Sequence, residues 1–157
     1  MPLDDIAVQR EEFDLDELNR ILRSEGSAQG AVVTFTGLVR ELAGEELRAL
    51  ELEHYPGMTE KALHRIVEQA RERWTLGPVS VRHRVGRLQP GDNIVFVGVA
   101  GAHRKAAFEA AQFLMDYLKR DAPFWKKEIL PDGEHWVEQK ESDLSAAASW
   151  RRGDSND

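Results

Sequence analysis

The run from Ile94 to Val99 is continuously apolar and passes through Ala100-Gly101-Ala102 straight into His103-Arg104-Lys105 and a helical pattern. An unbroken apolar run of strand length belongs in a strand covered on both faces, so the rest of the chain has to supply layers on either side of it. The helix that follows is expected from near His103 to about Arg120. Phe108, Ala111, Met115 and Leu118 form its inward stripe, and Pro123 closes it.

Around this unit the chain alternates strand and helix signals. Asp14 and Glu17 have capping-box-like spacing ahead of Leu15, Leu18 and Leu22, with Gly26 beyond, which predicts a short first helix. Residues 31–36 are β-branched and aromatic and read as a strand leading to Gly37, where a missing side chain suits close backbone approach. Residues 41–46 are polar, contain Gly44 and read as a surface loop. Leu50, Leu52 and His54 alternate with charged neighbours as a half-buried strand, ended by Pro56-Gly57.

Helical spacing returns between Thr59 and Trp74, stopped by Gly77-Pro78. Val79, Val81, His83 and Val85 alternate as a further strand, linked by Pro90-Gly91-Asp92 to the buried one. Residues 124–129 and 135–137 flank the turn Pro131-Asp132-Gly133 and read as a terminal hairpin. The expectation is an α+β (mixed α/β) single domain over residues 1–150, with three main helices, strands and a C-terminal hairpin, and residues 151–157 as a flexible tail.

The chain of 157 residues carries 28 acidic and 21 basic side chains, a formal charge of -7, which argues against general affinity for nucleic acid or an anionic membrane. Any anion site must therefore be local. Residues 1–13 fit neither a secretory signal nor a spanning helix, and a cytoplasmic protein is expected. The absence of cysteine excludes disulfides, thiolate metal sites and a persulfide carried by the chain itself.

Two basic clusters are candidates for chemistry. At His103-Arg104-Lys105, cations stand at a helix start, where backbone N–H groups already favour negative charge; either they share a bound anion or they pair with surface carboxylates. Lys119 lies at the end of that helix and Lys126 in the strand beyond Pro123, on the face shared by Phe124 and Glu128 and opposite Lys127. Convergence of Lys119 and Lys126 over a pocket would depress the pKa of both amines and suit acid, base or nucleophilic work. The alternative is a pair of ordinary helix-end lysines. The histidines have no metal-ligand spacing, the glycines form no nucleotide fingerprint, and the tryptophans read as core or interface anchors; no metal and no cofactor is expected.

Gly30-Ala31-Val32-Val33-Thr34-Phe35-Thr36-Gly37-Leu38-Val39-Arg40 and Leu52-Glu53-His54-Tyr55-Pro56-Gly57-Met58 closely resemble the opening motifs of the molybdopterin synthase large subunit, the MoaE family. Further matches are His83-Arg84-Val85-Gly86, Pro90-Gly91-Asp92, Ala102-His103-Arg104, Met115-Asp116-Tyr117-Leu118-Lys119, Ala122-Pro123-Phe124-Trp125-Lys126-Lys127-Glu128, Trp136-Val137-Glu138 and Glu141-Ser142-Asp143. The similarity covers about residues 28–150 in order. Lys140 departs from it, standing where arginine is expected.

The resemblance implies an α/β-hammerhead-like fold and a sulfur transfer. Cyclic pyranopterin monophosphate would receive two sulfurs from the C-terminal thiocarboxylate of a small ubiquitin-like subunit and become molybdopterin. It implies a central homodimer with a small subunit at each end, a heterotetramer. Carried over by position, Lys119 is the central catalytic residue and Lys126 the second. Arg40, His103 and Arg104 contact substrate anions, the last two in the neighbouring subunit's pocket, and Phe35 and Met115 line the pocket. Two rivals remain at this point: a phosphate-ester hydrolase or lyase, and a non-catalytic module that docks a ubiquitin-like protein.

Overall fold

A computed structural model describes residues 4–41, 46–137 and 141–154. Its elements are β1 (Asp4–Gln9), α1 (Leu15–Leu22), a 3-10 turn (Gly26–Ala28), β2 (Ala31–Leu38), β3 (Ala49–His54), α2 (Met58–Arg73), β4 (Val79–Arg84), β5 (Gly86–Leu88), β6 (Asn93–Gly101), α3 (Arg104–Asp121), β7 (Phe124–Leu130), β8 (Gly133–Val137) and α4 (Glu141–Asp154). The architecture is the expected α+β mixture in a single domain, with a fourth helix beyond the three main ones foreseen.

Two four-stranded sheets carry it, one in the order β1-β4-β6-β2 and the other β5-β3-β7-β8. In the first, β6 is the buried strand foreseen from its apolar run. It pairs antiparallel with β2 (Phe35 opposite Val97) and with β4 (Val81 opposite Val97), while β1 joins β4 in parallel. Both faces of β6 are covered, as an apolar run requires. On one side α1 lays Leu18 and Leu22 with Phe13 against Phe96; on the other, α2 and α3 pack over Val95, Val97 and Val99. Asp14 caps α1 by accepting from Glu17 N at 3.1 Å, as the capping-box spacing predicts.

The second sheet is antiparallel throughout and includes the foreseen hairpin of β7 and β8, with Leu130 opposite Gly133. Leu47, Leu52 and Leu88 bring this sheet into the same apolar cluster as the first, so one core runs through both.

Three elements differ from the sequence expectation. β1 lies in a segment read as charged and without apolar runs; Ile6 and Val8 pack on the core, while Asp5 accepts from Ser80 Oγ (2.7 Å) and from Arg82 Nε (2.9 Å) and Nη2 (2.6 Å). β5 is a three-residue strand inside what reads as a link, held by pairing with β3 and by Leu88 in the core. α4 (Glu141–Asp154) is a helix that the sequence reading does not foresee; residues 155–157 lie outside the described residues. Trp150 anchors it, edge-on to Trp74 and Phe113, donating from Nε1 to Asp116 Oδ2 at 2.8 Å.

The inward stripe of α3 also needs correction. Phe108 is 62% exposed, and the buried positions are Ala107, Ala110, Ala111, Phe113, Leu114, Tyr117 and Leu118. Both series have helical spacing. Ala111 and Leu118 of the predicted stripe are buried and Met115 partly so; because α3 packs against the first sheet, α2 and α4 at once, its buried arc is wider than that stripe, and Phe108 falls outside it. The loop read at residues 41–46 falls largely on residues 42–45, which lie outside the described residues.

Candidate functional site

Strand direction decides which predicted residues meet. β2 ends at Leu38 opposite Asn93, where β6 begins, and Arg40 follows at that end. β4 also reaches it, with His83 opposite Val95. After β6, α3 runs back over the sheet, so its last turn, with Lys119 and Arg120, returns to the same end. β7 then starts beside it and pairs with β3, placing His54 opposite Phe124 and Leu52 opposite Lys126.

His83 is the centre of this junction. It is 2% exposed, and its ring stacks on Phe124 with centroids 3.8 Å apart and planes 18° from parallel. Its Nδ1 lies 2.8 Å from the Arg84 carbonyl oxygen, which only accepts, so Nδ1 carries the proton and Nε2 a lone pair. Its pKa is pushed down to about 3, chiefly by burial and also by the charges of Lys126, Lys119 and His54, against the hydrogen bond to the Arg84 backbone, which raises it. The charges of Lys119, from α3, and of Lys126, from β7, are therefore both felt by one buried neutral imidazole.

The path between the two lysines is tightly held. Ala122 N donates to Leu118 O at 3.1 Å, Phe124 N to Ala122 O at 2.9 Å, and buried Thr59 donates from Oγ1 to Pro123 O at 3.0 Å. Lys127 turns to the opposite face, where it pairs with Glu134 (3.1 Å) and Glu51 (3.4 Å) and lies over the Trp136 ring; the hydrogen bond to Glu134 raises its pKa. Behind His54, Glu60 caps α2 by accepting from Gly57 N at 3.1 Å, and its other oxygen lies 3.8 Å from His54 Nε2.

Other predicted residues lie around or away from this junction. Met115 is half-buried one helical turn before Lys119, and Phe35 is 44% exposed on the edge strand β2, on the sheet face that α3 covers. Arg40 is exposed beyond that strand. His103 and Arg104 are exposed at the other end of α3, about 22 Å from Lys119 at 1.5 Å of rise per residue, too far to share a pocket within one chain. Lys140 lies outside the described residues.

His83 and His54 were readable from sequence only as scattered histidines. The available signal was the place of His83 on the apolar side of its alternating strand, which predicts a buried ring but not its neighbours. Among the described residues there is no group of three or more His, Cys, Asp or Glu side chains able to hold a metal, and no helix long and apolar enough to cross a membrane.

Residues 8–121 match the family described as MoaE protein. The chain is 62% identical over 128 residues to the molybdopterin synthase catalytic subunit of Escherichia coli K12, covering 81% of this chain and 85% of the relative. Among solved structures it is similar to a molybdopterin biosynthesis MoaE protein from Burkholderia ambifaria, with a TM-score of 0.81 and 48% identity over 94% of this chain and 98% of the other. It is also similar to the molybdopterin synthase of Staphylococcus aureus, with a TM-score of 0.77 and 36% identity over 83% of this chain and 95% of the other. With the motifs, the fold and these likenesses in agreement, the chain belongs to the MoaE family.

Proposed function

We propose that this chain is the catalytic subunit of a molybdopterin synthase, a sulfurtransferase of the cytoplasm. It moves sulfur from the C-terminal thiocarboxylate of a small ubiquitin-like subunit to cyclic pyranopterin monophosphate. The observation that carries the reading is the approach of Lys119 and Lys126, from separate elements, to one buried uncharged ring.

A phosphate and a thiocarboxylate are both anions, and bringing them together needs cations fixed in advance at the meeting point. Lys119 takes the position beside the incoming thiocarboxylate and Lys126 the position near the pterin. Arg40, at the same end of the sheet, adds charge for the phosphate, and Phe35 and Met115 line the apolar side. With no cysteine in the chain, the transferred sulfur must come from a partner.

His103 and Arg104 act in the site of a second copy. Their distance from Lys119 supports this reading, as does the apolar surface left on edge strand β2 and on α3: Phe35, Leu38 and Phe108 are all exposed. A second copy seated there covers the free strand edge and makes the site complete only in the dimer.

Incubation of the purified chain with cyclic pyranopterin monophosphate and a thiocarboxylated small subunit tests the proposal. Molybdopterin should form only with all three present. Release of phosphate without the small subunit would favour a hydrolase instead.

A further inference from the structure

We propose that His83 is a positioning residue of the lysine site: its ring, seated against Phe124, sets where β7 presents Lys126 relative to Lys119. Its kinetic consequence rests on the sulfur-transfer reading above; its structural consequence does not.

Three observations lead there. First, the His83–Phe124 stack joins β4 of one sheet to β7 of the other, and Lys126 follows Phe124 two positions on, on the same strand face. A shift of the Phe124 ring is therefore passed to Lys126. Second, the segment from Lys119 to Lys126 is fastened by backbone bonds at Ala122 and Phe124 and by Thr59 at Pro123, and the Phe124 side chain contacts the first sheet through its stack on His83. Third, the ring is locked by its Nδ1 bond to Arg84 O and is 2% exposed.

Side-chain chemistry explains why an imidazole suits this place. A carboxylate would neutralise the lysines, and a permanent cation would repel them. An aliphatic side chain would fill the volume without the flat face that holds Phe124 in one orientation. A buried neutral imidazole gives the flat face and leaves the lysine charges for the substrates.

The test uses the full-length chain with His83→Ala, His83→Phe and Phe124→Leu. The first readout needs no activity: acylation by sulfosuccinimidyl acetate at fixed pH, followed by mass spectrometry, gives the reactivity of Lys126 relative to exposed Lys61. This ratio, measured where urea unfolding shows every variant to be folded, should change at least about threefold in His83→Ala and Phe124→Leu and stay near native in His83→Phe. The second readout is steady-state kinetics, in which His83→Ala should lose at least about tenfold in kcat with KM for the pterin within about threefold, and His83→Phe should recover most of the loss. Should His83→Ala not fold, Phe124→Leu carries both readouts. An unchanged Lys126 ratio, a native kcat in the folded His83→Ala chain, or a His83→Phe chain as impaired as His83→Ala overturns the proposal. Failure of the native chain to make molybdopterin overturns the functional reading instead and leaves the lysine ratio to decide the role of His83.

Discussion

His83 lies face to face with Phe124, ring centroids 3.8 Å apart, and this pair ties a strand of one sheet to a strand of the other. The folded chain keeps the imidazole neutral down to about pH 3, whereas its ordinary value is 6.5. Between these values the unfolded chain binds a proton that the folded chain refuses, so stability falls as pH drops through the window, by roughly 1 kcal/mol per pH unit. Lys119 on α3, Lys126 on β7 and His54 on β3 all oppose protonation of the ring, so none of them offsets the effect. Urea unfolding of native and His83→Phe chains between pH 6.5 and 5, above most carboxylate titration, should show the flatter profile in the variant. Parallel profiles would contradict the buried neutral state.

Asp5 holds the first strand to its parallel neighbour through Ser80 and Arg82. Asp5→Ala leaves Ser80, fully buried, without that acceptor and Arg82 with only its bond to Gln9. The expected loss is about 2 kcal/mol in urea unfolding, the scale of charge-assisted hydrogen bonds removed from a partly buried site. A loss under about 0.5 kcal/mol would assign the pair the small weight of an exposed ion pair.

Much of this fold could be read locally. The Asp14 cap announced α1, the alternation of Leu50, Leu52 and His54 announced β3, and Pro131-Asp132-Gly133 announced the β7–β8 turn. What escaped depends on distant partners. β1 has a short alternating pattern, and its pairing with β4 comes from a segment far along the chain. α4 reads as polar and alanine-rich because its anchor is one residue, Trp150, whose partners are Trp74, just past the end of α2, and Phe113 of α3. The site divides the same way. Alternation put Lys126 on the strand face of Phe124 and opposite Lys127, but nothing local tells that His83 will meet Phe124 across two sheets.

Trp150 gives a test of α4. Trp150→Ala removes two edge-on aromatic contacts and the bond to Asp116, and it should cost about 3 kcal/mol, the scale of a large aromatic truncation. Amide hydrogen exchange in α4 should rise well before exchange in β6. Unchanged protection of α4 would mean that Trp150 does not anchor it.

A Cβ at Gly30 would stand 2.4 Å from the Ala102 carbonyl oxygen, a backbone atom that cannot rotate away. Gly30→Ala must therefore displace the turn that carries His103 and Arg104, with an expected loss of about 2 kcal/mol and weaker molybdopterin formation. Thermal unfolding reads the first effect, and the molybdopterin assay the second. A variant with native values for both would show that this turn yields freely.

If Arg104 serves the neighbouring copy's site, Lys119→Ala and Arg104→Ala chains, each impaired alone, should complement each other when mixed and allowed to exchange. A mixed dimer holds one pocket with both native residues, so random exchange restores about a quarter of native activity. No recovery in demonstrated mixed dimers would place Arg104 in the service of its own chain.

Lys119 and Lys126 are proposed to perform the transfer, and molybdopterin formation by native, Lys119→Ala and Lys126→Ala chains with thiocarboxylated small subunit and cyclic pyranopterin monophosphate tests this. The account predicts product with the native chain and a loss of at least about a hundredfold with Lys119→Ala, or roughly 2.7 kcal/mol of barrier, with a substantial loss for Lys126→Ala. Near-native rates in both folded variants would contradict it.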